Sequence, residues 1–152
     1  MRTREAVPEE ASLLTQLAFE SKSYWGYDQG YLEAAREYMN ITEQVIQDNH
    51  VYVIEQEEDV IGFYELTEIG TEHELVWFFI HPQRIGQGVG KFLWNHLLKT
   101  VKELGISGFI IKSDIHAEAF YLKQGAVRIG YKPSAVNETM LLPLLKFVVS
   151  NS

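Results

Sequence analysis

The residues with the clearest chemical potential lie in His81–Lys91, which reads His-Pro-Gln-Arg-Ile-Gly-Gln-Gly-Val-Gly-Lys. Glycine at every second position from Gly86 to Gly90 leaves the backbone uncovered and permits positive φ angles, so successive N–H groups can point toward one ligand. A helix predicted to begin at about Gly88 adds unpaired first-turn N–H groups and the positive end of its dipole. Such a loop favours an anion, most often phosphate. A glycine-rich turn without a ligand is the alternative.

Spacing separates the possible phosphate loops. A Walker P-loop needs a glycine five positions before its Gly-Lys pair and Ser or Thr after the lysine, but Ile85 and Phe92 stand at these positions. A dinucleotide fingerprint needs a third glycine where this sequence has Lys91. The remaining interpretation is a loop for the pyrophosphate of an acyl-coenzyme A, with Arg84 and Lys91 as flanking positive charges.

Two sequence motifs resemble signatures of one family. Ile85–Gly90 resembles the Gln/Arg-x-x-Gly-x-Gly signature of the GCN5-related N-acetyltransferase (GNAT) superfamily, with Ile85 in place of the usual Gln or Arg. Downstream, Asp114 to Tyr121 resembles that superfamily's Asn-x-x-Ala-x-x-Phe-Tyr signature, with Asp114 in place of the usual Asn. Because the family binds pyrophosphate mainly through backbone N–H groups, Ile85 predicts weaker contacts and not a lost site.

The resemblance covers almost the whole chain and implies the fold of this superfamily. That fold is α+β: a mixed, mostly antiparallel sheet of six to seven strands, flanked by helices and splayed open between its fourth and fifth strands. It implies acetyl-CoA as the cofactor, lodged in that gap. The cofactor-binding positions that follow are Phe79, Ile80, Ile85, Gly86, Gln87, Gly88, Val89, Gly90, Lys91, Asp114, Ala117 and Phe120.

Acetyl transfer to an amine requires a base. An alkylammonium has no lone pair and a pKa near ~10.4, so a carboxylate must accept its proton. Glu74 lies on the strand before the loop, at the position where the resemblance to the superfamily's histone acetyltransferases implies the catalytic glutamate. A solvated glutamate at the strand edge is the alternative. Glu65 and His73 are fallback bases, and any of the three can act through a water chain.

The leaving thiolate needs a proton donor, since a free thiol has a pKa of ~8.5. Tyr121 occupies that position of the second motif, and the nearby Ala117 and Phe120 allow close approach to a thioester. A buried tyrosine with a structural hydrogen bond is the alternative. A backbone N–H of Phe79–Ile80 is expected to polarise the thioester carbonyl. Asp114 can also be read as a helix N-cap.

The segment Ser23–Asp28, called here the aromatic loop, places Tyr24, Trp25 and Tyr27 around a glycine. It is either a packed loop corner or an aromatic lid over the substrate site, where Glu65 is a further candidate. The function expected from these features is N-acetyl transfer from acetyl-CoA to a primary amine of a small molecule or peptide. An acyl-CoA-binding sensor or interaction module without transfer activity is the alternative.

Composition limits the function classes. The 152 residues are 46% hydrophobic, which predicts one domain over residues 1–152. We expect this domain to be a monomer or a homodimer. No cysteine is present, so thiolate chemistry is excluded, and no cysteine–histidine spacing suggests a metal. The N-terminus lacks a signal-type apolar run and no apolar stretch reaches the ~20 residues of a membrane span, which predicts a cytoplasmic protein. The net charge of −8 argues against a nucleic-acid partner.

Periodicity predicts an order of strands and helices. Alternating or continuous apolar runs predict strands, and apolar residues at helical spacing predict helices. A four-residue turn at 56–59 is expected to close an antiparallel hairpin. The predicted strands are 1–6, 51–55, 60–66, 72–80, 108–112, 126–131 and 139–145, and the predicted helices include 29–38, 42–48, 88–104, 117–124 and one with the buried stripe Leu13, Leu14, Leu17 and Ala18.

Overall fold

A computed structural model describes residues 1–149, and these residues form a mixed sheet of seven strands with helices on both faces. The strands are β1 (Arg2–Glu5), β2 (His50–Gln56), β3 (Asp59–Ile69), β4 (Glu72–Ile80), β5 (Gly108–Lys112), β6 (Val127–Pro133) and β7 (Leu141–Val148). The helices are α1 (Ala11–Ser23), α2 (Gln29–Tyr38), α3 (Glu43–Asp48), α4 (Val89–Glu103) and α5 (Glu118–Lys123). The sheet order is β1-β2-β3-β4-β5-β7-β6. The predicted α+β class is therefore confirmed.

The sheet opens between β4 and β5. These two strands run parallel and pair only at Glu74 and Ile110, whereas the pairs on either side of them are antiparallel and extend over many residues. Beyond Glu74 the strands separate, so β4 has no partner there on its β5 side. The splay expected between the fourth and fifth strands is confirmed.

Two cores lie on opposite faces of the sheet. One forms where α4 packs on the sheet, with Trp94 and Leu97 against Phe109 of β5. The other forms where α1 to α3 cover β2 and β3. Leu13 was expected in the buried stripe of α1, but its side chain is 48% exposed. The inward stripe is narrower than predicted, because Leu14 and Leu17 already fill the contact with the sheet.

The hairpin between β2 and β3 closes with a shorter turn than predicted. Pairing continues to Gln56 and Asp59, which leaves only Glu57 and Glu58 in the turn. Both have positive φ, 53° and 73°, as a two-residue turn of type I′ requires. The predicted antiparallel hairpin is confirmed, but its strands pair one residue further on each side than predicted, because non-glycine residues at positive φ give little sequence signal for a two-residue loop.

A β-bulge in β4 sets the direction of the site residues. Glu65 of β3 lies opposite Trp77 and the next residue, Leu66, lies opposite Leu75, so Val76 is an extra residue in β4. The bulge changes the alternation of side chains along the strand. Leu75 faces the α4 core, Trp77 packs on the α1–α3 side, and Glu74 shares that second side by alternation with Leu75.

No helix within residues 1–149 combines the length and apolar character that crossing a membrane requires.

Candidate active site

A cavity of about 760 Å³, called here the cleft, opens where β4 and β5 separate. Its walls come from β4 between Glu74 and Ile80, the glycine loop, the connection from β5 to α5, the ends of α1 and α2, and residues 134–136. In the part of the chain that the structure describes, no group of three or more His, Cys, Asp or Glu side chains could hold a metal.

The glycine loop forms one end of the cleft. Gly86 and Gly88 have φ of +84° and +81°, and a Cβ at either position would meet no atom within 4 Å. Their requirement for glycine is thus conformational. The N–H of Phe92 donates to the Gly88 carbonyl (3.1 Å), so the N–H groups of the preceding first turn of α4 have no acceptor within the helix. Gly90 lets α4 lie close to α5, because a Cβ there would approach the Phe120 ring to 3.1 Å.

Side chains of this loop mostly point elsewhere. Val89 is buried in the α4 core, and Gln87 donates from its backbone to Arg84 (3.3 Å) and from its side chain to the Gln83 carbonyl (3.0 Å). Neither Val89 nor Gln87 lines the cleft, whereas Ile85 does. Lys91 lines the cleft and donates to Gln124 at 2.7 Å. The anion-binding capacity of the loop therefore lies mainly in its backbone N–H groups.

The backbone of β4 offers donors to the gap. The His81 N–H donates to Ile61 of β3 at 2.8 Å. Since N–H groups alternate in direction along a strand, the Phe79 N–H also points to β3, and those of Phe78 and Ile80 point into the gap. One backbone N–H of Phe79–Ile80 was expected to polarise the thioester carbonyl, and of these two residues only Ile80 directs its N–H into the gap. Phe79 contributes its side chain to the lining.

Glu74 lies at the last position where β4 pairs with β5 before these strands separate. Its side chain is half-buried and lines the cleft. Burial raises its pKa, and the charges of Lys112 and Lys132 oppose that rise. Glu65, by contrast, is buried, accepts from the Asn49 side chain (3.0 Å) and does not line the cleft. Burial raises the pKa of Glu65 as well, against the Asn49 hydrogen bond. Of Glu74 and Glu65, only Glu74 is thus within reach of a ligand in the cleft.

Tyr121 lies across the cleft on α5 and is 5% exposed. Burial, together with the nearby Asp114 carboxylate, raises its pKa well above the usual value. The hydroxyl is therefore protonated at neutral pH and available as a donor. Its ring packs edge-on against Phe78 with centroids 6.0 Å apart, and Ala117 and Phe120 line the cleft beside it.

Asp114 connects two walls of the cleft. It accepts from the Tyr27 hydroxyl (2.8 Å) and pairs with Lys22, while its other oxygen accepts the His116 N–H at 2.8 Å. Burial acts to raise its pKa, but the Lys22 charge and these hydrogen bonds outweigh burial and lower it. Asp114 is not the N-cap of α5, which is Ala117. Its carboxylate instead ties the β5–α5 connection to the aromatic loop.

Only one ring of the aromatic loop lines the cleft. Trp25 does so and stacks on His116, with centroids 5.0 Å apart and planes at 3°. Tyr27 packs against Tyr31 at 4.3 Å behind the cleft wall. Tyr24 is 52% exposed and touches the edge of Trp25. Of Tyr24, Trp25 and Tyr27, only Trp25 therefore lies within reach of a ligand in the cleft, and His73 also lies outside the lining.

The structure adds wall residues that the motifs did not indicate. Tyr31 and Tyr38 of α2 line the cleft, as do Lys112 and Ser134. The two tyrosines are seven residues apart, so helical spacing indicates that they share a face. Ser134 accepts from the backbone of Val136 (3.1 Å) in the turn after β6, and the sequence contains no signal that this turn would reach the cleft.

Comparisons with known proteins agree with this geometry. Residues 14–126 match the model of the acetyltransferase (GNAT) family. A 5-NmdU N-acetyltransferase of Pseudomonas phage PaMx11 is 29% identical over 129 residues, which cover 84% of this chain and 87% of the relative.

Solved structures show the same fold. A GCN5-related N-acetyltransferase from Rhodopseudomonas palustris superposes with a TM-score of 0.83 at 18% identity, covering 97% of this chain and 94% of the other. The PaiA N-acetyltransferase from Thermoplasma acidophilum, in complex with coenzyme A, superposes with a TM-score of 0.78 at 19% identity, covering 97% of this chain and 98% of the other. An aminoglycoside 6′-N-acetyltransferase complexed with coenzyme A superposes with a TM-score of 0.69 at 18% identity, covering 100% of this chain and 99% of the other. The chain belongs to the acetyltransferase (GNAT) family of enzymes.

Proposed function

We propose that this enzyme transfers an acetyl group from acetyl-CoA to a primary amine of a small molecule or peptide. The observation that carries the proposal is that one cleft is lined by a carboxylate, Glu74, a protonated hydroxyl, Tyr121, and an N–H-rich glycine loop. Two relatives of the same fold were solved with coenzyme A, and the phage relative is named an N-acetyltransferase. These findings support both the cofactor and an amine acceptor.

The residues present fit a coenzyme A molecule. The bare backbone of Gly86 and Gly88 and the first-turn N–H groups of α4 would hold its pyrophosphate, with Arg84 and Lys91 in the same wall. The N–H groups of Phe78 and Ile80 point into the gap, where the pantetheine arm would lie. When bound, acetyl-CoA supplies the acetyl group as a reactive thioester.

Glu74 would accept the proton of the ammonium acceptor. Its burial raises its pKa, which brings the carboxylate closer to the basicity that proton transfer near neutral pH requires. The amine nitrogen, freed of this proton, would form the new bond to the acetyl carbon as the bond from that carbon to sulfur breaks, and the nitrogen would then release a second proton to solvent to leave the neutral amide. The proton passes from Glu74 to solvent through the open end of the cleft.

Tyr121 would protonate the leaving thiolate. An ordinary tyrosine, with a pKa of ~10, is already protonated at neutral pH, and the higher pKa that burial gives Tyr121 makes hydrogen-bond donation to the developing thiolate the larger part of its contribution. The Ile80 N–H would donate to the thioester oxygen as charge develops there, which is the electrostatic contribution of an oxyanion hole. Solvent then returns a proton to Tyr121, so that one amide and one thiol are formed for each amine and thioester consumed.

Thiol release from acetyl-CoA, measured with a thiol reagent in the presence of a panel of primary amines, tests this proposal. We expect amine-dependent release and formation of the N-acetylated product by mass spectrometry. Acetyl-CoA binding without amine-dependent release from any member of the panel would contradict the proposal and favour a binding module.

A further inference from the structure

The sheet face next to Glu74 carries positive charge. Phe109 and Ile111 of β5 belong to the α4 core, so alternation places Ile110 and Lys112 on the opposite face. Glu74 lies beside Ile110 in the parallel pair, and its side chain is on this same face. Lys112, two residues further along β5, lines the cleft.

Lys132 shares this face. Lys112 lies opposite Leu144 of β7, and Lys132 of β6 lies opposite Leu142 of the same strand. Directly opposite residues share a face, and residues two apart on a strand point the same way. The charges of both lysines reach the Glu74 carboxylate. The protein has a net charge of −8, so a cationic face at this position is a local feature.

Neither lysine forms a salt bridge in the part of the chain that the structure describes. Lys22 in the cleft wall pairs with Asp114, whereas Lys112 and Lys132 are in none of the salt bridges within residues 1–149. An alkylammonium that approaches Glu74 therefore meets one carboxylate and two ammonium groups. Like charges in a partly buried site repel strongly enough to oppose binding of a simple amine.

We propose that the acceptor is a primary amine that also carries an anionic group, a carboxylate or a phosphate. Lys112 binds this anion with Lys132 behind it, while Glu74 receives the proton of the amine. The inference rests on the proposed function, because it assigns the acceptor end of the same cleft. It explains why the Lys112 side chain lines the wall at which a cationic substrate must arrive.

Matched acceptor pairs test the proposal. β-Alanine is compared with n-propylamine, γ-aminobutyrate with n-butylamine, and phosphoethanolamine with ethanolamine, each by kcat/KM with saturating acetyl-CoA. We expect the anionic member to be preferred in at least one pair, and the pair shows whether a carboxylate or a phosphate is bound. Lys112→Met should reduce that preference roughly tenfold to a hundredfold, as expected for a lost charged hydrogen bond.

Lys146→Met is the matched control. Lys146 lies opposite Ile110 on the same sheet face but is exposed and does not line the cleft. The preference should survive in this variant. Equal kcat/KM within every pair, or an equal loss in both lysine variants, would overturn the proposal.

A binding measurement separates this proposal from the proposed function. Titration calorimetry of the coenzyme A complex with N-acetyl-γ-aminobutyrate, N-butylacetamide and inorganic phosphate requires no turnover. The anion site is supported if N-acetyl-γ-aminobutyrate or inorganic phosphate binds more tightly than N-butylacetamide and if Lys112→Met abolishes this difference. This result would support the anion site even where amine-dependent thiol release fails. No discrimination by the wild-type complex contradicts the anion site, even where neutral amines are acetylated.

Discussion

The two ends of the cleft are built in different ways. At the cofactor end, one continuous segment, Arg84–Lys91, supplies the proposed contacts to the pyrophosphate, and it does so mainly through backbone N–H groups. At the acceptor end, side chains converge from α1, α2, β4, β5 and the turn after β6. Trp25, Tyr38, Lys112 and Ser134 share this end although more than a hundred residues separate the first from the last.

This difference explains why the cofactor end is easier to predict. A site made of backbone N–H groups requires only glycines at positive φ and the first turn of a helix. Both can be predicted from residues that are neighbours in the sequence. Side-chain sites depend on strand register and on which loop reaches which wall. The same difference gives an expectation for mutations: changes in the glycine loop should affect the cofactor, and changes at the acceptor end should affect turnover or the amine.

The largest effect is expected for Gly88→Glu. The variant places a side chain and a negative charge where the pyrophosphate would lie and forces a non-glycine residue to φ near +81°. Acetyl-CoA should raise the melting temperature of the wild type by linkage and leave that of the variant unchanged. Gly105→Glu is the control, since Gly105 has φ +71° but does not line the cleft. A full thermal shift in Gly88→Glu would contradict the pyrophosphate assignment.

Glu74→Gln should lower kcat by roughly 10²- to 10³-fold while acetyl-CoA binding is kept. A general base must be ionised, and burial raises the pKa of Glu74, so the wild-type rate should fall as pH drops through this raised value. The pH–rate profile of Glu74→Gln should lack this fall, because the variant has no carboxylate to protonate. Its rate should recover as pH rises toward the amine pKa of ~10.4.

Glu65→Gln is the control for Glu74→Gln, because Glu65 is buried outside the lining of the cleft. Steady-state rates between about pH 6 and pH 10 distinguish the two, with the reference pKa values of amine and carboxyl as the window. Wild-type kcat in Glu74→Gln at neutral pH would assign the base to Glu65, His73 or an ordered water.

Tyr121→Phe should lower kcat by roughly 10²-fold, and higher pH should not restore it, because the variant lacks a donor to the thiolate. Tyr64→Phe removes another buried hydroxyl, which is hydrogen-bonded to Thr100 at 2.9 Å away from the cleft, and controls for lost stability. The two variants are compared by kcat with saturating substrates and by melting temperature. An unchanged kcat in Tyr121→Phe would remove the general acid from the mechanism.

The smallest effect is expected for Trp25→Ala. Loss of one aromatic contact corresponds to a roughly three- to tenfold rise in acceptor KM, with acetyl-CoA affinity nearly unchanged. Tyr24→Ala is the neighbouring control, since Tyr24 is exposed and does not line the cleft. Equal weakening of both ligands in Trp25→Ala would show that the aromatic loop is structural.

The sequence by itself determined the positions of several helices and strands and the conformation of the glycine loop at the cofactor end. Helix 29–38 and strands 72–80 and 108–112 have the predicted bounds, because their apolar periodicity and end signals are local. The two motifs indicated the family, and the glycine loop folds as its spacing predicted, with Gly88 preceding α4. These features depend on residues that are neighbours in the chain.

Tertiary structure decided which side chains lie at the acceptor end of the cleft and which way they point. The bulge at Val76 determines which way Glu74 points, and no local signal predicts an extra residue in a strand. Asp114 matched a motif position, yet its carboxylate is occupied by Lys22 and Tyr27, which are about ninety residues away in sequence. Register and long-range pairing are properties of the assembled sheet, so the residues proposed to meet the acceptor follow from the separation of β4 and β5 and not from local sequence.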